Sequence, residues 1–149
     1  MSSPSKLRVL FICIGNSCRS PMAESLARRD AADVIEASSA GLFPLGAVAE
    51  LTTRTLRKNG CPVDNLSSKP ITPAAWKSAQ LVINLSGHSQ PPAFPSYEKV
   101  VDWNVEDPYG EDSAVYQRIF DEIAERVQDL AARLRIERRG ISNRTAGSD

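Results

Sequence analysis

The chain has 149 residues, of which 42% are hydrophobic and 24% charged, enough for one compact domain with its own core. Eighteen basic residues balance eighteen acidic ones, which removes the electrostatic case for nucleic acid or an anionic membrane as the main partner. Any anion must therefore be recognised locally. The opening MSSPSKLRVLFIC holds an apolar run too short for a signal core, and no later run reaches the roughly 18 residues a membrane span needs. With three cysteines (Cys13, Cys18, Cys61) at irregular spacing and one histidine, His88, no metal site is expected. Reduced thiols and the absence of a leader give a cytoplasmic expectation.

Leu7–Ile12 is a continuous apolar run, the pattern of a strand buried on both faces. After a loop, Ser20 and Pro21 read as a cap and first helical residue, with Glu24 in the first turn of a helix to about Ala32. Val34–Ser39 is a second strand, ended by Ala40-Gly41, and 47–58 a helix terminated by Gly60. Thr72-Pro73 opens a short helix carrying Trp76. Leu81–Leu85 and Lys99–Val105 are two more strands, separated by the proline-rich SGHSQPPAFPSY.

From Ser113, the apolar positions Tyr116, Ile119, Phe120, Ile123, Val127, Leu130 and Leu134 recur with helical period, predicting a helix that ends near Arg135. The expectation is a single domain over 1–149, ordered over about 6–136, with a flexible tail at 137–149. Strands alternating with helices predict an α/β fold: three layers, an open four-stranded parallel sheet flanked by helices. In such sheets ligands bind beyond the carboxyl ends of the strands, where Cys13 lies.

The stretch Cys13-Ile14-Gly15-Asn16-Ser17-Cys18-Arg19-Ser20 joins the first strand to the first helix. A short loop at a helix N-terminus can turn its N–H groups inward as a nest for a tetrahedral oxyanion. Gly15 permits the close or left-handed backbone this needs, and Arg19 adds a planar fork for two oxygens. The same positive potential favours the Cys13 thiolate, so Cys13 is the candidate nucleophile toward phosphorus. Ser20 can donate a hydrogen bond to that thiolate. Cys18 is either inert packing or an oxidation partner that protects Cys13, and Cys61 is read as packing.

Cleavage of a phosphate ester also needs a proton for the leaving oxygen. Asp107, in NVEDPYG after the fourth strand, is the candidate acid, held in an extended conformation by Pro108. Tyr109 would stand beside a substrate ring. Trp76 and Trp103 are assigned to core or rim, and His88 to a solvated loop.

Taken together, CIGNSCRSPMAE, SSAG at Ser38–Gly41 and EDPYG resemble the motifs of the low-molecular-weight protein tyrosine phosphatase family. The resemblance covers about Leu7 to Leu134 and implies a phosphatase I-like fold. It implies Cys13 as nucleophile, Arg19 as phosphate clamp and Asp107 as acid and then base, with phosphotyrosine in proteins or small aryl phosphates as substrates. Inorganic phosphate and other oxyanions would bind the loop formed by Ile14, Gly15, Asn16, Ser17, Cys18 and Ser20. Asn16 would hold the loop backbone, with Ser39 in support. Phe43 is the implied aromatic wall in the short LFPLGAVAE segment, and no metal or organic cofactor is implied. Two alternatives remain open: an arsenate reductase of the same fold using an external thiol, and a phosphate-binding module without catalysis. Thioredoxin-coupled reductases resemble the same loop but place two further cysteines near the end of the third strand, where this chain reads LVINLSGHSQPP.

Overall fold

The computed structural model describes residues 6–147 and contains four strands and four helices. In chain order these are β1 (Leu7–Cys13), α1 (Arg19–Asp30), β2 (Ile35–Gly41), α2 (Glu50–Lys58), α3 (Pro73–Ser78), β3 (Leu81–Asn84), β4 (Val100–Asp102) and α4 (Ser113–Gly147). The strands form one parallel sheet in the order β2-β1-β3-β4. The expected α/β architecture is therefore present.

The two faces of β1 explain its unbroken apolar run. Val9, Phe11 and Cys13 join a core with Met22 and Leu26 of α1, Leu56 of α2 and Ile119, Ile123 and Val127 of α4. Leu10 and Ile12 point the other way, into a smaller core with Trp76 of α3, Val82 and Phe94. A strand covered on both sides has no place for the polar alternation of a half-exposed one. Trp103 belongs to the larger core.

Several boundaries differ from the sequence expectation. β2 runs through Ala40-Gly41 because β1 supplies a partner that far, pairing Cys13 with Gly41. β4 is shorter than expected, since its neighbour β3 ends at Asn84 opposite Asp102 and leaves later residues no ladder. α2 begins at Glu50 rather than 47, because the backbone at Ala49 is extended (φ −61°, ψ 143°), with its N–H on the Ser17 carbonyl at 3.1 Å.

The largest difference is at the carboxyl end, where α4 runs to Gly147 instead of stopping near Arg135. The segment expected to form a flexible tail from 137 is thus helical through Gly147, while Ser148 and Asp149 lie outside the described residues. Backbone i→i−4 bonds need no apolar stripe, the segment has no proline, and Gly140, its one glycine before the terminal Gly147, costs only about 1 kcal/mol. Arg135 pairs with Asp33, and Arg138 donates to the Asp33 carbonyl at 2.8 Å, fastening α4 to the turn before β2. No described helix is long and apolar enough to cross a membrane.

Candidate active site

β1 ends at Cys13 in the interior of the sheet, so the next residues emerge between the β2 and β3 sides. The loop carbonyls point outward and are taken up by the segment that follows β2. Leu42 N–H donates to the Cys13 carbonyl (3.0 Å), Phe43 N–H to Ile14 (2.8 Å), Leu45 N–H to Gly15 (3.1 Å) and Ala49 N–H to Ser17 (3.1 Å). Ser68 Oγ adds a bond to Gly15, and Thr52 Oγ1 one to Ser17, both 2.8 Å. Among the described residues, none of the N–H groups from Ile14 to Cys18 is given to a backbone acceptor. A loop with satisfied carbonyls and free amides is an anion nest, and the start of α1 adds its dipole.

The strained residue of the loop is Asn16, not Gly15. Asn16 has φ 47°, whereas Gly15 is not among the residues of positive φ. Its side chain is fully buried and holds that backbone in place: Oδ1 accepts from Lys69 N–H (3.0 Å), and Nδ2 donates to Ser20 Oγ (2.7 Å) and Ser39 Oγ (3.0 Å). Gly15 is needed for a different reason. A Cβ there would sit 2.9 Å from Leu45 Cγ, closer than carbon atoms pack.

Ser20 does not cap α1. The helix begins at Arg19 with Cys18 as its N-cap, and Ser20 lies one residue inside. Its Oγ is 2.9 Å from Cys13 Sγ and accepts from Asn16, which leaves its own proton for the sulfur, the Ala40 carbonyl being farther at 3.5 Å. Glu24, expected in the first turn, therefore lies beyond it. It is buried, pairs with Arg28, and accepts from Ser39 Oγ at 2.5 Å.

Arg19 is 3% exposed. Its Nη1 donates to the Val105 carbonyl at 3.0 Å and its Nη2 stands 3.5 Å from Asp107 Oδ2. Its Nε is buried with no partner among the described residues. A guanidinium is too costly to bury with an idle donor unless an acceptor is to arrive there. Asp107 is about half exposed, and its Oδ1 accepts the Tyr109 N–H at 3.1 Å, closing a short turn over Pro108.

These groups meet in one cleft of about 160 Å³ lined by Cys13, Ile14, Gly15, Ser17, Cys18, Arg19, Leu45, Asp107 and Tyr109. Of the residues singled out from sequence, Asn16 and Ser20 support the cleft from behind rather than line it. Phe43 is 75% exposed and is not part of the lining. Leu45 takes the place expected for it, because Leu45 is the residue seated on Gly15. The useful signal was the glycine, which marked a close approach without naming its partner.

Cys18 lies 3.4 Å from Tyr116 Oη, and burial pushes its thiol up from the ordinary value, as it does the Tyr116 hydroxyl. The three cysteines are free, and burial also raises Cys61, beside Arg29 in the last turn of α1. Cys13 and Cys18 flank the first turn of α1, whereas Cys61 lies beside its last turn. His88 is exposed in its loop. No cluster of three metal-ligating side chains occurs among the described residues.

The chain matches the family described as "Low molecular weight phosphotyrosine protein phosphatase" over residues 8–140, and it belongs to that family. Its relatives divide by activity. "Arsenate reductase 1" of Bacillus cereus is 33% identical over 128 residues, 85% of this chain and 95% of that protein. Three solved structures each superpose with a TM-score of 0.77. One is an arsenate reductase in the phosphate binding state, 32% identical over 86% of this chain and 98% of that one. The second is the YwlE arginine phosphatase from Geobacillus stearothermophilus, 28% identical over 88% and 94%. The third is a low molecular weight protein tyrosine phosphatase from T. tengcongensis, 30% identical over 86% and 99%.

Proposed function

We propose that this protein is a cysteine-dependent phosphatase that hydrolyses phosphotyrosine in proteins and small aryl phosphates by double displacement. The reading is carried by the convergence of Cys13, Arg19 and Asp107, from three separate segments, on one cleft. The Cys13 thiolate attacks phosphorus while the bond to the leaving oxygen breaks, and Asp107 protonates that oxygen. The loop amides and the Arg19 fork hold the three remaining oxygens, whose charge is greatest in the transition state. Asp107, now a carboxylate, takes a proton from water as it attacks the phosphocysteine. The departing Cys13 sulfur is stabilised by the Ser20 hydroxyl. Inorganic phosphate is the product, and a relative in a phosphate binding state supports the loop as the oxyanion site.

The curated relatives favour a second reading more than the first. They include arsenate reductases at 33% identity over most of the chain. In that reading Cys13 attacks arsenic, and an external thiol then attacks the Cys13 sulfur. Two electrons pass to arsenic, releasing arsenite and leaving a mixed disulfide. Within the chain Cys18 is the cysteine that shares the cleft with Cys13, and a bond between them would occupy the anion loop itself; Cys61 lies at the other end of α1. The reductant must therefore come from outside. Parallel assays decide between the readings. Phenyl phosphate turnover with arsenate as a competitive inhibitor supports the phosphatase. Sustained arsenite formation with a supplied thiol, without aryl phosphate turnover, establishes the reductase. Any aryl phosphate turnover excludes a silent binding module.

A further inference from the structure

Six large hydrophobic side chains are exposed among the described residues: Phe43, Leu45, Tyr97, Val101, Tyr109 and Ile136. Two of them stand in the cleft and a third adjoins it in the chain. Leu45 and Tyr109 line it, and Phe43 is two residues before Leu45, with its N–H fixed to the Ile14 carbonyl. An inorganic oxyanion fits the loop below and makes no use of such a rim. Apolar surface gathered at the mouth of an anion site marks contact with something larger.

The two sides of the mouth differ in charge. One side is the segment after β2, an outer strand of the sheet, and 43–49 carries no charged residue. The other side follows β4, the opposite outer strand, and reads Glu106-Asp107-Pro108-Tyr109-Gly110-Glu111-Asp112. Glu106 pairs with Arg118 at 2.6 Å, and Asp107 faces Arg19. Glu111 and Asp112 are exposed and form no ion pair among the described residues, although Arg118 also lies near Glu111. Between these sides sits the buried Arg19, with its Nε unpartnered.

We propose that the mouth is a docking surface for a phosphorylated protein segment. Its phosphoresidue enters the loop, an apolar residue on one flank packs on Phe43 and Leu45, and lysine or arginine on the other flank faces Glu111 and Asp112. This assignment rests on the phosphatase reading and specifies its substrate class. Continuity with the anion cleft and charge complementarity of the acidic side select this occupant. The opposite field would repel acidic segments at the distances over which exposed charges act.

The test compares phosphotyrosyl peptides of equal length with apolar-plus-basic, apolar-plus-acidic and Gly/Ser flanks, each in both chain directions. Rates are expressed as kcat/KM relative to phenyl phosphate. One direction of the apolar-plus-basic peptide is expected to lead, and its advantage should shrink at high salt. Glu111→Lys is expected to lower that ratio about fivefold and to raise it for the acidic peptide. Phe43→Ser is expected to lower it about threefold for both apolar peptides. Equal ratios across flanks and variants, or a preference for acidic flanks, overturn the docking surface while the phosphatase reading stands. Failure to hydrolyse phenyl phosphate and every peptide removes both.

Discussion

The loop from Cys13 to Ser20 and the loop from Asn104 to Asp112 face each other across one cleft but are built in opposite ways. In the first, Asn16, Ser17, Arg19 and Ser20 are buried, and the carbonyls are tied to 42–49 and 68. In the second, Glu106, Asp107, Tyr109, Gly110, Glu111 and Asp112 are exposed, and the ties to the body lie mostly at its two ends and on the surface: Arg19 to the Val105 carbonyl and Asp107, Arg126 to the Asn104 carbonyl, Arg118 to Glu106, and Asp112 to the first turn of α4. The contrast follows from the two tasks. A nucleophile and its oxyanion cage must hold the geometry of the transition state, so their positions are determined many times over. An acid that becomes a base must meet water and release product, so it stands in solvent on a lightly held turn.

That contrast can be broken most directly at the sulfur. Cys13→Ser should abolish phenyl phosphate turnover while oxyanion binding, measured by calorimetry, remains. Activity beyond a trace would mean the buried loop is not the reacting centre. Across the cleft, Asp107→Asn should slow phenyl phosphate by about a hundredfold or more, and an activated aryl phosphate far less, because only a basic leaving group needs the proton. Equal losses on both substrates would make the exposed loop structural. Arg19→Lys joins the two loops in one test. It keeps the charge but loses the bidentate fork and the bond to Val105, and should lower kcat at least about tenfold, or about 1.4 kcal/mol. Near-normal turnover would show that charge alone suffices.

Stability sharpens the comparison further. Glu24→Gln, far from solvent, removes the carboxylate that Ser39 and Arg28 share and should cost about 1–3 kcal/mol in denaturant unfolding. Glu106→Gln breaks an exposed pair and should cost less than about 1 kcal/mol. If the two cost the same, the buried loop is not over-determined. The smallest effect is expected at Asp33, whose carboxyl Arg135 holds down at about 2. A depressed acid stabilises the fold fully above its unfolded pKa of about 3.9 and loses that contribution as pH falls through about 2. Asp33→Asn should therefore lower the melting temperature slightly at neutral pH and leave it unchanged in strong acid. The pair is exposed, so the difference should stay within about 1 kcal/mol.

The reach of the sequence varied along the chain for a physical reason. β1 and the following loop were legible because their determinants are neighbours in the chain: an apolar run, Gly15 and Arg19, whereas α1 starts two residues before the Pro21 start that Ser20-Pro21 indicates. Asp107 was legible by its position after the last strand. The role of Glu24 was not, since it depends on Ser39 and Arg28 meeting it across the α1–β2 interface. Leu45 was missed for the same reason. Its part is set by the missing Cβ of Gly15, thirty residues earlier. The helix end was misplaced because the apolar stripe stops near Leu134 while backbone bonding and the Asp33 contacts continue.

By itself, then, the amino-acid sequence determined the α/β alternation, the anion loop with its thiol and guanidinium, and the family to which the chain belongs. Those depend on local periodicity, backbone stereochemistry and residue types at short spacing. Tertiary structure alone decided which residues wall the cleft, which buried carboxylate anchors the loop, and how charge is divided across the mouth. Those depend on segments after β2 and β4, the two outer strands, being carried to either side of β1, and no short-range pattern encodes a meeting between them.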